Sequence, residues 1–151
     1  KAYSGRGKSC RVSLDAKGYR LPTEAEWEYI ALGGARHIYA GSDSLEDVGW
    51  YWGNSYLSPK GVAQKSPNPF GIYDLSGNVS EWCLDSWSEG EYDSTVLKVE
   101  DPFYNDPEEN RRVSKGGHWH MTDYGCQIRY REASSQYSPN KYQGFRLVRC
   151  A

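Results

Sequence analysis

Side chains that can bind a metal or move a proton are concentrated directly after the glycine pair Gly116-Gly117. His118 and His120 would point the same way from a strand, and Asp123 or Cys126 could complete a metal site with them. Their spacing matches no established ligand pattern. The sequence therefore favours two histidines on a solvent-facing binding surface, with a metal site as the alternative.

The same stretch is rich in residues that suit molecular recognition. Between residues 118 and 143 lie Tyr124, Tyr130, Tyr137 and Tyr142, interleaved with Ser, Asn and Gly. Tyrosine and histidine give a large contact area with few rotatable bonds, while small polar residues give adaptable hydrogen bonds, as in antibody paratopes. Any one tyrosine could simply pack in the core. The whole set, in a stretch without apolar periodicity, predicts a ligand-binding surface.

Composition limits the class of protein that could carry this surface. The chain has 151 residues, a formal net charge of −2, six Trp, thirteen Tyr and three Phe. The length predicts one domain, and the charge argues against a nucleic-acid partner. No stretch reaches the ~20 apolar residues needed to span a bilayer. Sixteen Gly and seven Pro predict a loop-rich fold. Four cysteines without a CxxC spacing leave disulfides and free thiols equally open.

One helix is clearly predicted, over residues 23–32. Thr23 and Glu26 form a capping-box pattern, and Gly33-Gly34 follows as a stop signal. Residues 43–47 predict a helical turn, 86–110 a long surface loop, and 112–117 and 144–149 strands. The expected core residues outside the helix are Trp82, Trp119, Phe145 and Leu147. Arg146 is expected to pair with Glu26 or Glu28.

Three blocks in order make the chain resemble a known family. They are residues 20–29 (RLPTEAEWEY), residues 71–82 (GIYDLSGNVSEW), and Gly116-Gly117 followed by residues 144–149 (GFRLVR). They are similar to the formylglycine-generating-enzyme (sulfatase-modifying factor) domain. The resemblance implies an α+β, loop-rich variant of the C-type-lectin fold with short strands and few helices. It also implies one domain over residues 1–151, lacking the first part that family members have.

The enzymes of this family bind copper through two cysteines after the glycine pair. Met121 stands where the first cysteine is expected, Cys126 on the second, and His118 replaces a serine. A thioether brings no negative charge to a two-thiolate copper site. The resemblance therefore implies no copper and no enzymatic activity; the alternative is a copper- and oxygen-dependent oxidoreductase acting on a protein cysteine. The iron-binding branch of relatives needs a His-x3-His-x-Glu pattern, which the sequence lacks.

A third branch comprises the variable proteins of diversity-generating retroelements, which mutate adenines in asparagine codons. The reachable residue types include Asn, Asp, His, Tyr, Ser, Thr, Gly, Ile and Ala, but exclude Trp, Met, Gln, Glu and Lys. Excluded types alternate with reachable ones through residues 118–143. The reachable positions, which form the predicted binding surface, are His118, His120, Thr122, Asp123, Tyr124, Gly125, Ile128, Tyr130, Ser134, Ser135, Tyr137, Asn140 and Tyr142.

This resemblance implies a hypervariable ligand-binding domain, receptor- or adhesin-like, that holds a protein or a surface glycan. It further implies display on a bacterial cell surface or outer membrane, with a lipid anchor as one means of attachment. In family members with a structural calcium, the matching ligands are the Asp74 and Glu81 carboxylates and the Gly77 and Val79 carbonyls. The alternative is that Asp74 and Glu81 cap turn amides or pair with arginines.

Overall fold

The computed structural model describes residues 1–5, 10–89 and 102–149. The strands are β1 Tyr3–Ser4, β2 Arg11–Val12, β3 Tyr19–Arg20, β4 Ser80–Ser86, β5 Arg111–Lys115, β6 Glu132–Ser135, β7 Gln143–Gly144 and β8 Val148–Arg149. At the centre is a four-stranded sheet in the order β6-β5-β4-β7, in which β4 pairs antiparallel with β5 and parallel with β7. Two small antiparallel pairs, β1-β2 and β3-β8, lie outside it.

The described residues contain two short α-helices, α1 (Glu24–Leu32) and α2 (Leu45–Val48), and a 3₁₀ turn (Asp123–Cys126). The capping box of α1 is confirmed. The Glu26 N–H donates to Thr23 Oγ1 at 3.2 Å, and the Thr23 N–H donates to Glu26 Oε2 at 2.8 Å. The helix ends at Gly33, whose left-handed φ of 58° favours glycine.

Helix α1 packs on the sheet through Trp27, Ile30 and Ala31, which lie on one face because they are three and four residues apart. Trp27 and Ala31 are fully buried, and Ile30 packs against them. The main core cluster comprises Trp27, Ala31, Ala40, Leu75, Cys83, Val113 and Ile128. A second cluster, beside α2, comprises Tyr39, Leu45, Val48 and Cys126.

The predicted core is right for Trp119, which is 4% exposed, and wrong at the C-terminal strand. Phe145 and Leu147 are 64% and 51% exposed, and Trp82 is half-buried. The reason is the inward turn of Arg146 between them, because neighbouring side chains in a strand-like segment point to opposite sides. The predicted strand 144–149 is also two separate strands, β7 and β8.

Other predicted elements are close to the observed ones. The helical turn expected at 43–47 is α2, and the strand expected at 112–117 is β5. The loop expected over 86–110 begins one residue later, since Ser86 still belongs to β4. No strand occurs in the described part of that loop, and residues 90–101 lie outside the described ranges.

Buried ion pairs fasten α1 to the sheet. Lys115 is fully buried, and its Nζ lies 2.6 Å from Glu28 Oε1 and 3.5 Å from Glu24 Oε1. Arg131 forms a bidentate pair with Glu24, at 2.7 Å and 3.0 Å. A buried charge is tolerated only when it is paired and hydrogen-bonded. These pairs therefore tie the start of α1 to β5 and to the residue preceding β6.

Candidate ligand-binding surface

Residues 116–143, named here the display segment, follow β5, contain the edge strand β6 of the same sheet and end in β7. Strands β5 and β7 both pair with β4, so one strand holds both ends of the segment. Gly117 makes the tight reversal possible: its φ is 68°, and a Cβ there would lie 2.4 Å from the Gly125 carbonyl oxygen. No larger residue fits that approach.

A ring cluster joins the two ends of the display segment around Tyr142. The Tyr142 ring stacks on His118 at 4.3 Å between centroids and lies 5.9 Å from His120 and 5.1 Å from Trp119. Lys141 Nζ lies 5.3 Å from the ring centroids of both Trp119 and Tyr142. Both histidine rings therefore stack against Tyr142. They lie in a turn and not on the strand face that the sequence suggested.

The thirteen predicted binding positions fall into three classes of exposure. The exposed ones are His120, Thr122, Asp123, Tyr124, Tyr137 and Asn140. The half-buried ones are Tyr130, Ser135 and Tyr142. The buried ones are His118, Gly125, Ile128 and Ser134.

Four of these positions are therefore not surface positions. Ile128 is 2% exposed and belongs to the main core cluster, so its prediction as a binding residue is wrong. Gly125 is buried under Gly117, and the Ser134 hydroxyl donates to Gln143 Oε1 at 3.2 Å. The His118 ring is covered by Tyr142, although it remains part of the ring cluster. A filter on residue type carries no information about which side chains face inward.

Burial changes the ionisation of two groups in this segment. Loss of water around His118, with a smaller contribution from His120, lowers its pKa to about 4, so the ring is neutral at neutral pH. Burial, together with the charge of Asp123, raises the pKa of the Cys126 thiol to about 12. Cys126 is therefore a thiol and not a thiolate under physiological conditions.

The residues at the family's copper positions do not fit a copper site. Met121 Sδ packs 2.9 Å from where a Gly125 Cβ would be; Cys126 belongs to the second apolar cluster, and Met121 packs against that cluster. Neither sulfur carries a charge, whereas copper sites of this type need two thiolates. Across residues 1–5, 10–89 and 102–149, no group of three or more His, Cys, Asp or Glu side chains could hold a metal ion.

The predicted calcium ligands have other partners. Glu81 accepts from Arg146 Nε at 2.5 Å, from Arg146 Nη2 at 2.7 Å and from Trp27 Nε1 at 2.7 Å. Asp74 Oδ2 accepts from the Ala63 N–H at 2.7 Å. A guanidinium therefore stands where a cation would bind Glu81, and these contacts match the alternative of turn capping and arginine pairing. Calcium binding stays a prediction, and this arrangement does not favour it.

The expected partner of Arg146 is also corrected. Arg146 pairs with Glu81, whereas Glu26 pairs with Arg20 at 2.6 Å and Glu28 with Lys115. Arg146 Nη2 also donates to the Tyr73 and Asp74 carbonyls at 3.1 Å and 3.3 Å. The arginine therefore bonds a β4 carboxylate and the turn that precedes it.

Sequence reasoning missed a neighbouring loop with exposed apolar side chains. Trp52, Tyr56 and Leu57 are 62%, 88% and 59% exposed. The Trp52 N–H donates to the Met121 carbonyl at 2.9 Å, so this loop touches the display segment. The run of aromatic residues from Trp50 to Trp52 was visible in the sequence, but no local pattern showed that it would lie beside residue 121.

The thiols divide by exposure. Cys10 is an exposed free thiol, and Cys83 and Cys126 are buried free thiols. Cys150 lies outside the described residues. Within the described ranges, no helix is both long and apolar enough to cross a membrane.

Comparison with known proteins identifies the family. The profile described as the sulfatase-modifying factor enzyme 1-like domain matches residues 2–151. Chaperone protein LppX of Paenibacillus barcinonensis is 36% identical over 91% of this chain and 51% of its own length. The formylglycine-generating enzyme of Streptomyces coelicolor is 36% identical over 89% of this chain and 46% of its own length. The chain thus spans about half the length of these relatives.

Among solved structures, Treponema denticola variable protein 1 superposes with a TM-score of 0.82 and 32% identity, over 93% of this chain and 50% of that one. The chain therefore belongs to the sulfatase-modifying factor enzyme 1-like family and has its loop-rich, α+β variant of the C-type-lectin fold. The expected resemblance to the variable-protein branch of the family is confirmed by this structure. Proteins similar to this chain thus include enzymes, a chaperone and a variable protein.

Proposed function

We propose that the chain is a non-enzymatic ligand-binding domain whose display segment is diversified by a retroelement. The observation that carries this proposal is that some residues of the display segment anchor it to the scaffold while others of the segment are exposed to solvent. Its ligand would be a protein or a surface glycan, and its place a bacterial cell surface or outer membrane, where a lipid anchor is one means of attachment.

The anchoring residues bind the constant scaffold. The Trp119 side chain is buried, the backbone N–H of Trp119 donates to the Asn78 carbonyl at 2.9 Å, and its backbone carbonyl accepts from the Ser55 hydroxyl at 2.7 Å. Gln143 Nε2 donates to the Ser80 carbonyl at 3.2 Å. Trp and Gln are types that adenine mutagenesis of asparagine codons excludes, so the segment would keep the buried Trp119 ring and the Gln143 side-chain bond while other positions change.

Six exposed positions of the display segment carry residue types that the proposed mutagenesis can produce, while the exposed Gln136 and Lys141 carry types that it excludes. Six of the thirteen predicted positions are exposed, and they include His120, Asp123, Tyr124 and Tyr137. Tyr124 packs edge-on against Tyr130 at 5.6 Å, which braces its ring without covering it. Rigid aromatic rings beside small polar groups are the composition of a paratope.

The similarity to Treponema denticola variable protein 1 supports this proposal. The similarity to formylglycine-generating enzymes favours a second candidate, a copper- and oxygen-dependent oxidoreductase. The two sulfur-containing residues at the copper positions argue against this oxidoreductase. Met121 has no thiol, and the pKa of the Cys126 thiol is raised to about 12. Stoichiometric, thiol-dependent uptake of Cu(I) by the purified protein would favour the enzyme instead.

The deciding experiment is to sequence the DNA around the coding region and search it for a near-copy of the part that encodes residues 112–149. We expect such a copy, beside a reverse-transcriptase gene, with mismatches only at its adenines. Those mismatches should fall on exposed positions such as His120 and Tyr124, and not on Trp119 or Gln143. A complete genome without the copy, or mismatches at the anchors, would contradict the proposal.

A further inference from the structure

The loop of residues 50–57, which lies beside the display segment, exposes large apolar side chains. Trp52, Tyr56 and Leu57 are all more than half exposed. A single exposed apolar residue needs no explanation, but a group within six residues marks an interaction site. Lys60 Nζ lies 5.6 Å from the Tyr56 ring centroid and leaves that ring 88% exposed.

The backbone of this loop holds two of these side chains outward in an unfavourable conformation. Tyr56 and Leu57 have φ values of 51° and 57°, in the left-handed region that L-residues rarely occupy. Such strain persists only where the surroundings fix it, and it concentrates at binding and catalytic sites. A glycine would relieve it at either position, whereas the chain carries a tyrosine and a leucine.

Hydrogen bonds make this loop and the display segment one surface. The Trp52 N–H donates to the Met121 carbonyl at 2.9 Å, and the buried Ser55 hydroxyl donates to the Trp119 carbonyl at 2.7 Å. Asn78 joins the same structure, since its N–H donates to the Trp50 carbonyl at 2.7 Å. Residues 52 and 55 of the loop are thereby bonded to residues 121 and 119, on either side of the exposed His120.

We propose that Trp52, Tyr56 and Leu57 form a constant apolar contact for a protein ligand, beside the variable positions. This inference rests on the proposed function. The loop lies outside residues 112–149, so diversification would leave it unchanged. Interfaces between proteins concentrate their binding energy in a few aromatic and apolar residues, surrounded by more polar contacts. The loop would supply affinity, and the variable positions would select among partners.

A protein fits this surface better than a glycan does. Aromatic rings serve both kinds of ligand, but an exposed leucine beside them has a use only against apolar groups. Leu57 is 59% exposed, next to Tyr56. Apolar side chains of a protein ligand would cover both residues and remove their surface from water.

The probe for this inference is a phage-displayed library of random peptides, selected on the wild-type domain with a glycan array as the parallel probe. We expect Trp52→Ala and Tyr56→Ala each to weaken most selected peptides by about tenfold or more. The matched control is Tyr29→Ala, because Tyr29 is 67% exposed on α1 and should leave binding unchanged. Circular-dichroism melting curves establish that each variant is folded.

A second set of variants separates the two proposals. If the peptides depend on His120 and Tyr124 but not on Trp52, Tyr56 or Leu57, this inference is overturned and the proposed function stands. If they depend on neither group, or if no peptide is selected, both proposals fail. Binding by the glycan array alone, through Trp52 and Tyr56, would overturn the assignment of a protein ligand.

Discussion

At the scale of single residues, Arg146 shows how much a planar guanidinium can organise. It bonds both oxygens of Glu81 and two carbonyls of the turn before β4. Glu81 is buried, and Trp27 of the core donates to the same carboxylate. One arginine therefore links the end of the chain, the central strand and the helix that packs on it.

Replacing Arg146 by lysine should destabilise the fold by about 1–3 kcal/mol, because an ammonium cannot make the bidentate pair and leaves buried acceptors unsatisfied. The measurement is the free energy of unfolding in urea. Arg111→Lys is the matched control: Arg111 pairs with Glu109 and Glu89 at the surface, and its change should destabilise the fold much less than the change at Arg146. Equal losses in the two variants would contradict the role assigned to Arg146.

The same pairing bears on calcium. Because Arg146 occupies the Glu81 carboxylate, calcium would have to displace it, and we expect the melting temperature to be the same in calcium and in EDTA. Differential scanning fluorimetry makes this comparison directly. A rise in the melting temperature with calcium, lost in Asp74→Asn, would instead support the calcium site that the resemblance implies.

The buried sulfurs give a further prediction at this scale. In a Cys10→Ser/Cys150→Ser variant, Cys83 and Cys126 should not react with Ellman's reagent at pH 8 until the protein is unfolded. Burial raises the pKa of both thiols, that of Cys126 to about 12, and only the thiolate reacts. Absorbance before and after addition of guanidinium measures this, and a fast-reacting thiol in the native protein would revive the enzyme candidate.

At the scale of elements, local signals were sufficient for α1 and insufficient for the C-terminal strands. Capping depends on neighbouring residues, so the sequence alone placed the start of α1 within one residue. Phe145 and Leu147 are exposed because Arg146 between them points inward, and the partner of Arg146, Glu81, lies 65 residues away in the sequence. Ile128 was assigned to the binding surface for the same reason, since codon reach does not reveal contacts with the core.

Helix α1 should lose about 1 kcal/mol of stability in Thr23→Ala, because the change removes the hydroxyl that accepts from the Glu26 N–H. Ser44→Ala provides the control, since Ser44 occupies the same position before α2 but makes no side-chain cap bond. Thermal unfolding followed at the helix band of the circular-dichroism spectrum compares the two. The capping argument fails if both alanine variants melt together.

The family could be recognised from three blocks, but the binding surface could be predicted only in part. The blocks sit on α1, on the turn before β4 and around the glycine pair, where backbone geometry demands particular residues. The neighbouring loop at Trp52 and Tyr56 carries no local signal that it lies beside the display segment. Its place beside Met121 follows from hydrogen bonds between segments almost 70 residues apart in sequence.

At the scale of the whole molecule, buried ionisable groups set how stability depends on pH. Burial raises the pKa of Asp85 from 3.8 to about 6, and the charge of Glu24 adds to the shift. The backbone N–H groups of Glu24 and Tyr104 donate to this carboxylate and oppose the shift. The folded protein therefore holds the Asp85 proton more tightly than the unfolded chain does.

Asp85 should stabilise the fold below about pH 4 and lose that contribution as the pH rises through about 6. Between pH 4 and pH 7, Asp85 should therefore lower the free energy of unfolding of the wild type by about 2–3 kcal/mol. The Asp85→Asn variant should not show this loss. Urea unfolding at several pH values measures it. If the difference between the two proteins does not change with pH, the Asp85 assignment is wrong.

The contribution of His118 to stability changes with pH in the opposite direction. Its pKa falls from 6.5 to about 4, so the stability that depends on its neutral form is present above pH 6.5 and lost as the pH falls through about 4. Between those limits the contributions of Asp85 and His118 oppose each other. The wild-type profile should therefore be flatter than that of either single variant.

The exposed run at residues 136–141 connects β6 to β7, and every residue in it is exposed. Strands β6 and β7 fix its two ends in the sheet, so the strand pairing does not depend on the conformation of the residues between them. Each doubling of the length of a flexible loop costs only about 0.6 kcal/mol in closure entropy. Insertions of foreign peptide should be accommodated there, which makes this turn a natural place for grafted epitopes and a second route, by length, to new binding specificities.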